Sequence, residues 1–359
     1  MNLIFTGDIM LGRDIMKSLD KKDFNLLNNK LHKKINSSIC ISNLECALTK
    51  KGDDSNHELF IGKGNSLEKT KFVNIFSLAN NHIYDSGKKG LISTIKFLSK
   101  FNMENNGVFS SDYTPKRLKA LDQKVEIYCC TDFSNLKPNN DENYRINFTD
   151  PDKISDYLIE SNADFKILYI HGGMMFTRIP NLSARRRCRE FINLGFDAVI
   201  MNHSHVAGVH EFYNGKLICY GLGDFIMDGK SFRRRVSKII KITRDSKNIL
   251  SYKFFFTRIN SKFVVRELNG PRKIYLIFKL KCYSILLKLS DKNYSKAYRL
   301  IYPLQIISHS ISTVLYQLLK KGPFFLISLY KHRRKDFKNM FKWMLKNTNE
   351  SKHNLEEEL

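Results

Sequence analysis

The chain has 359 residues, 42% of them hydrophobic, enough to bury one large core and leave residues for a further module. Sixty Lys and Arg against thirty-five Asp and Glu give a formal charge of +25, which favours an anionic partner: nucleic acid, anionic lipid or a polyanionic polymer. The seven cysteines are odd in number and form no C-x-x-C pair, which argues against a disulfide framework or a zinc knuckle and for small buried hydrophobes in a reducing compartment.

Met1 to Thr6 is an apolar run that leads directly to Gly7 and Asp8, without a basic region followed by a longer apolar segment. No secretory signal is read there, and a cytoplasmic location is expected. Cys40 to Ser42 is a second such run, ending on Asn43 and Glu45, and Phe72 to Ala79 a third, ending on Asn80, Asn81 and His82. Gly87 to Lys100 repeats apolar residues at helical spacing, and Val125 to Cys130 resumes a strand. Phe165 to Ile170 delivers His171, and Ala198 to Met201 delivers His203 and His205. Between Val209 and Tyr220, Asn214-Gly215 joins two β-type runs, a hairpin signal. The stretches Lys50 to Lys71 and Lys137 to Asp152 are rich in Gly, Asn, Asp, Lys and Pro and read as loops. From Met1 to about Arg258 this alternation predicts an α/β domain over 1–258.

The text changes from about Asn269. Lys and Arg are interleaved with large apolar and aromatic residues, as in Lys273 to Lys279 and again from Phe324 to Trp343. This predicts a basic amphipathic helical region over 269–346, followed by a polar tail over 347–359 that is expected to be disordered. Three arrangements fit the region. It could lie in a membrane interface, with Tyr275, Phe278, Phe324, Phe325, Phe341 and Trp343 inserting shallowly. It could span the membrane through the uncharged stretch Leu300 to Leu319, although Pro303, Gln305 and several Ser make poor hydrocarbon filling. It could also bury its apolar faces on the first domain or on a second subunit.

In a sheet of this class, ligands gather where the strands end. A core has no use for carboxylate, amide and imidazole at each strand exit, so their recurrence there points to a site. Asp8, Glu45, Asn81, His171, His203 and His205 are the hard oxygen and imidazole donors that a two-metal hydrolase needs.

The same residues carry a resemblance. The strings Gly7-Asp8-Ile9-Met10-Leu11-Gly12-Arg13, Asn43-Leu44-Glu45 and Ser77-Leu78-Ala79-Asn80-Asn81-His82, with Asp85, Gly87, Gly90 and Leu91, resemble the CapA family. So do His171-Gly172-Gly173, the run Gly195 to Ile200 leading to His203-Ser204-His205-Val206, and Tyr220-Gly221-Leu222-Gly223-Asp224-Phe225. That family serves poly-gamma-glutamate capsule biosynthesis and is similar to calcineurin-like metallophosphoesterases. The resemblance spans about Met1 to Asp228. It implies a four-layer α/β/β/α metallophosphatase-like sandwich, here with a helical C-terminal appendage. It also implies divalent metal ions, two of them, of Mn, Fe, Zn or Mg type.

By motif, Asp8 would be the first metal ligand, Glu45 a bridging or second-metal carboxylate, Asn81 the amide ligand, and His171, His203 and His205 the imidazoles. His82 would face the substrate as an acid or phosphate clamp, and Arg13 would bind an anion. Four positions depart from the family's pattern: Gly172 and Met175 replace a Trp and a Glu, Ser204 a Pro, and Asp224 an Asn. Such changes around retained ligands bear on the substrate more than on metal binding.

Two classes of function fit. One is a metal-dependent hydrolase or transferase acting on an anionic surface polymer or a phosphorylated precursor, held peripherally at the inner face of the membrane by the C-terminal region. The other is a non-catalytic assembly factor of a capsule or polysaccharide machine. Nucleic acid is not an expected partner, because the basic text is helical and apolar and matches no nucleic-acid module.

Overall fold

The structure is a computed structural model and describes residues 2–53, 58–109, 115–132, 145–245 and 250–321. The strands of its two large sheets, in chain order, are β1 (Asn2–Ile9), β2 (Ser38–Leu44), β3 (Ile75–Ser77), β4 (Glu104–Asn106), β5 (Lys116–Ala120), β6 (Gln123–Thr131) and β7 (Phe165–His171). They continue with β8 (Ala198–Asn202), β9 (His210–Tyr213), β10 (Lys216–Cys219), β11 (Asp224–Ile226), β12 (Val236–Arg244), β13 (Leu250–Ile259) and β14 (Val265–Glu267). The helices are α1 (Arg13–Leu19), α2 (Asn29–Asn36), α3 (Gly87–Lys100), α4 (Pro151–Glu160), α5 (Leu182–Leu194), α6 (Pro271–Leu286) and α7 (Asp291–Lys321).

The first sheet runs β14-β13-β12-β1-β2-β3-β4, with β11 pairing the end of β1. The second runs β9-β10-β8-β7-β6-β5. Strand periodicity decides what lies between them. In β1, Leu3 and Phe5 point into a cluster shared with Ile127 and Cys129 of β6 and Ile167 and Tyr169 of β7, while Ile4 points the other way. The two sheets therefore pack face to face. Outside the first sheet, Ile15 of α1, Leu31 of α2 and Leu91 of α3 cover Ile4 and Phe76. Outside the second, Ile154 of α4 and Phe191 of α5, with Leu276 and Leu280 of α6 and Tyr294 of α7, cover Leu168, Ile170 and Val199. The layers are α/β/β/α, as the family resemblance implies.

Asn214 and Gly215 take φ of 50° and 75° between β9 and β10, the left-handed pair that a two-residue hairpin turn requires. The stretch from Lys50 to Lys71, expected as loop, contains a short strand, Ile61–Lys63, paired with Ala47–Thr49, and a 3-10 helix, Gly64–Thr70. Six of the seven cysteines are buried and all are free thiols, so their role is packing.

The C-terminal helices belong to the outer layer over the second sheet. Tyr294 is fully buried and its hydroxyl donates to the Pro180 carbonyl at 2.7 Å, and Arg185 donates to the Leu287 and Leu289 carbonyls at 2.7 Å. No described helix is long and apolar enough to cross a membrane. The expectations for Phe324, Phe325, Phe341, Trp343 and the 347–359 tail lie outside the described residues.

Candidate metal centre

Parallel pairing brings the strand exits to one edge. Asp8 of β1 stands in register with Asn43 of β2 on one side and Asp224 of β11 on the other. The close approach of β1 and β11 depends on glycine: a Cβ on Gly7 would lie 1.7 Å from the Gly223 carbonyl oxygen. In the second sheet, His171 at the end of β7 is in register with Asn202, and the chain after β8 turns through His203 and His205. Both histidines have left-handed backbones, φ 78° and 55°, which is uncommon outside glycine. The turn is fastened by the Phe176 amide donating to the Ser204 carbonyl at 2.8 Å and by the Ser204 hydroxyl donating to the Val206 carbonyl at 2.9 Å.

The six expected ligands meet across the two sheets. His171 Nε2 lies 2.8 Å from Asn81 Oδ1, 3.0 Å from His203 Nδ1 and 3.6 Å from Glu45 Oε1. Glu45, His171 and His203 each offer a donor atom within 4.8 Å of the others, and so do Asp8, His205 and Asp224. All six of these residues are buried. Asn43 ties the halves together, its amide donating to Asp8 Oδ1 at 2.8 Å and lying 3.0 Å from His171 Nδ1. Asn80 holds Asn43 in turn, donating to its Oδ1 at 3.1 Å and to the Leu44 carbonyl at 2.8 Å.

The electrostatics are those of a cation site. Both carboxylate oxygens of Glu45 and Nε2 of His203 are buried without a hydrogen-bond partner, which is costly unless something else pairs them. Burial, then the charges of Asp8 and Asp224, pushes the Glu45 carboxyl well above the usual range. Burial first, with Asp224 adding to it, raises Asp8 to about 6. Burial and the neighbouring imidazoles push His171 and His203 well below the usual imidazole value, so both are neutral at pH 7, the form that ligates metal. Burial also works against the charge of Asp224, but Arg234 and His205 outweigh it and hold that carboxyl below the usual range. The residues therefore fit divalent cations: buried carboxylates and neutral imidazoles are concentrated together, and Glu45 and His203 keep donor atoms that no hydrogen bond engages.

His82 and Arg13 lie at the rim rather than among the ligands. The His82 ring stacks on Phe60 at 3.7 Å and its Nδ1 is 2.7 Å from Asp85 Oδ2. The Arg13 guanidinium lies 4.2 Å from the same Phe60 ring and is paired with Asp228. Four participants escaped the sequence reading. Arg234 donates to Asp224 Oδ2 at 2.9 Å, and the Arg233-Arg234-Arg235 run just past the Asp224 string was its only visible signal. Phe176, at φ 63°, has its ring 5.8 Å from that of His205. His309 of α7 stacks on Phe176 at 4.0 Å, and Gln305 accepts from the Arg178 amide at 2.7 Å. Nothing local in α7 marks these last two.

A family model described as bacterial capsule synthesis protein PGA_cap matches residues 2–229. PGA biosynthesis protein CapA of Bacillus subtilis is 32% identical over 82 residues, which is 23% of this chain and 22% of that protein's length. Among solved structures, a hypothetical protein from Thermus thermophilus superposes with a TM-score of 0.45 at 12% identity, covering 71% of this chain and 98% of the other. The 5'-nucleotidase precursor of Thermus thermophilus gives 0.45 at 12% identity, covering 80% of this chain and 60% of the other. The 5'-nucleotidase of Candida albicans gives 0.43 at 12% identity, covering 80% and 58%. Nothing about this chain's chemistry follows from likenesses of that size.

Proposed function

The chain belongs to the family of bacterial capsule synthesis proteins, and on that footing we propose that it serves the synthesis or processing of an anionic surface polymer as a metal-dependent hydrolase or transferase. Poly-gamma-glutamate or a related exopolymer, or a phosphorylated precursor, is the substrate class. The observation that carries the reading is the pair of buried donor groups, Glu45 with His171 and His203, and Asp8 with His205 and Asp224, drawn from both sheets onto one edge. Two ions fit the two groups, and the mixed oxygen and nitrogen donors suit Mn, Fe, Zn or Mg.

Divalent cations bound there would acidify water and neutralise charge developing on a phosphoryl or acyl oxygen. The protein's own groups do the rest. Asn43 and Asn80 fix the carboxylate and imidazole donors before any ligand arrives, so no reorganisation is needed at the moment of reaction. Asp224 Oδ1, 2.7 Å from His205 Nδ1, accepts the proton there and leaves Nε2 as the donor atom of that imidazole. Asp85, 2.7 Å from His82 Nδ1, does the same for His82, whose Nε2 is left to give or take a proton at the leaving group. Arg13, at the rim beside the Phe60 plate, supplies a guanidinium for a substrate carboxylate or phosphate.

The test is metal analysis of the purified protein together with a screen of phosphodiester and gamma-glutamyl substrates. Stoichiometric divalent metal and metal-dependent turnover are expected. Stoichiometric metal with no turnover on either class would favour the assembly-factor reading, and no metal affinity would overturn both.

A further inference from the structure

The two C-terminal helices have unlike faces. Leu276, Leu280 and Tyr294 point into the cluster over the second sheet, whereas Ile274, Tyr275, Phe278 and Ile285 of α6 point away from it and are more than half exposed. On α7, Leu300, Leu304, Ile307, Ile311, Leu315 and Leu319 follow one another at intervals of three and four residues, which is one face of a helix. Each of the six is exposed, from 47% at Ile307 to 79% at Leu319. A continuous apolar seam of this length left in water marks an interaction surface.

Charge selects the occupant. Between residues 271 and 321 the sequence holds ten Lys and Arg and a single acid, Asp291. That acid is already paired with Arg185 and Arg186. The seam is flanked by Lys292, Lys296 and Arg299 at one end and Lys320 and Lys321 at the other. A second copy of the chain would bring these like charges together. An anionic lipid leaflet would meet both features at once, taking the leucines and isoleucines at the acyl boundary and the cations at the headgroups.

We propose that the outward faces of α6 and α7 dock the protein in the plane of an anionic membrane surface, without any described helix crossing it. The inner side of α7 carries His309 onto Phe176, beside His205. Docking therefore sets the metal site behind α7, with one helix diameter, about 10 Å, and the His309-Phe176 stack between it and the lipid headgroups. A polymer or precursor handled at the membrane would meet the site there.

The experiment is vesicle sedimentation of the full chain with equimolar phosphatidylglycerol and phosphatidylcholine, against phosphatidylcholine alone. Binding to the anionic vesicles is expected, weakening as salt is raised. The double variant Leu304→Glu/Ile311→Glu should lower partitioning by about tenfold or more, as should Lys292→Gln/Lys296→Gln/Arg299→Gln. Both sets lie on exposed positions, so the melting temperature should hold. His203→Ala should bind vesicles like the parent, which separates this surface from the metal reading. Wild-type protein that ignores anionic vesicles, or a Leu304→Glu/Ile311→Glu variant that binds them undiminished, overturns the proposal. So does a concentration-dependent dimer that this variant dissolves in the absence of any lipid affinity, since the seam would then join two copies.

Discussion

Arg234 Nε donates to Asp224 Oδ2 at 2.9 Å, and both side chains lie beside the carboxylates of the metal centre. The pair compensates a change that the family resemblance exposes, the Asp at a position where an Asn is usual. A third buried acid adds to the crowding around Asp8 and Glu45, but the guanidinium keeps Asp224 ionised and oriented, and Asp224 orients His205. Removing Arg234 should leave that acid repelling its neighbours. Arg234→Ala is expected to lower metal affinity about 10- to 100-fold, the usual cost of losing a group that positions a ligand. Arg234→Lys should recover part of it. Titration calorimetry with Mn and Zn checks both, and unchanged affinity in Arg234→Ala would remove the guanidinium from the site.

His203 and His82 should separate when each is replaced. His203 Nε2 is buried with no partner and its Nδ1 faces His171, so His203→Ala should lose metal and turnover together. His82 is held by Asp85 and Phe60 at the rim, so His82→Ala should keep its metal and lose about 10²- to 10⁴-fold in kcat. Metal analysis beside kinetics reads the difference, and equal metal loss in both variants would collapse the division of roles.

The carboxylates predict a pH dependence with a definite sign. Because burial raises Asp8 to about 6 and holds Glu45 well above its ordinary value, the metal-free fold holds protons that the unfolded chain releases near pH 4. Metal-free stability from these groups therefore falls as pH rises from about 4 through 6 and beyond. An ion that binds their ionised forms removes that cost. The rise in melting temperature on adding Mn or Zn should be larger at pH 7 than at pH 5, and burial, which lowers His171 and His203, favours their metal-ligating neutral form at the higher pH. A larger rise at pH 5 would contradict the assignment of Asp8 and Glu45 as ligands.

Cutting the chain before Pro271 tests whether α6 and α7 are part of the fold. The cut removes Leu276, Leu280, Leu287 and Tyr294 from the cluster over the second sheet, each contributing roughly 1.5–3 kcal/mol of burial. That sum is comparable with the whole stability of a domain. The truncated protein should aggregate or melt far below the full chain, and the milder Tyr294→Ala should cost about 3–5 kcal/mol in denaturant titration. A truncated form as stable as the parent would make the helices a separable module.

Much of the site could be read from the chain because the rule behind it is local. An apolar run long enough to cross a sheet ends at the sheet's edge, and parallel strands end at the same edge, so Asp8, Glu45, Asn81, His171, His203 and His205 were recognisable from position and residue type alone. The Asn214-Gly215 turn was legible for a similar reason, since two left-handed residues suffice to define it. What the chain could not decide is partnership between distant segments. Asp8 and Glu45 come from one sheet and the imidazoles from the other, so the grouping of Glu45 with His171 and His203, and of Asp8 with His205 and Asp224, exists only once the sheets pack face to face. Arg234 acquires its role from a neighbour ten residues away that β11 carries to the metal edge, and His309 from a helix that begins more than eighty residues after His205. The outward face of α7 is made of Leu and Ile while its inner face carries Tyr294, Gln305, His309 and Gln317, so hydrophobicity alone would turn the wrong face inward. Only the layer beneath the helix decides the orientation, by burying Tyr294 and leaving Leu304 in water, because burial is a property of what a surface meets rather than of the residues that compose it.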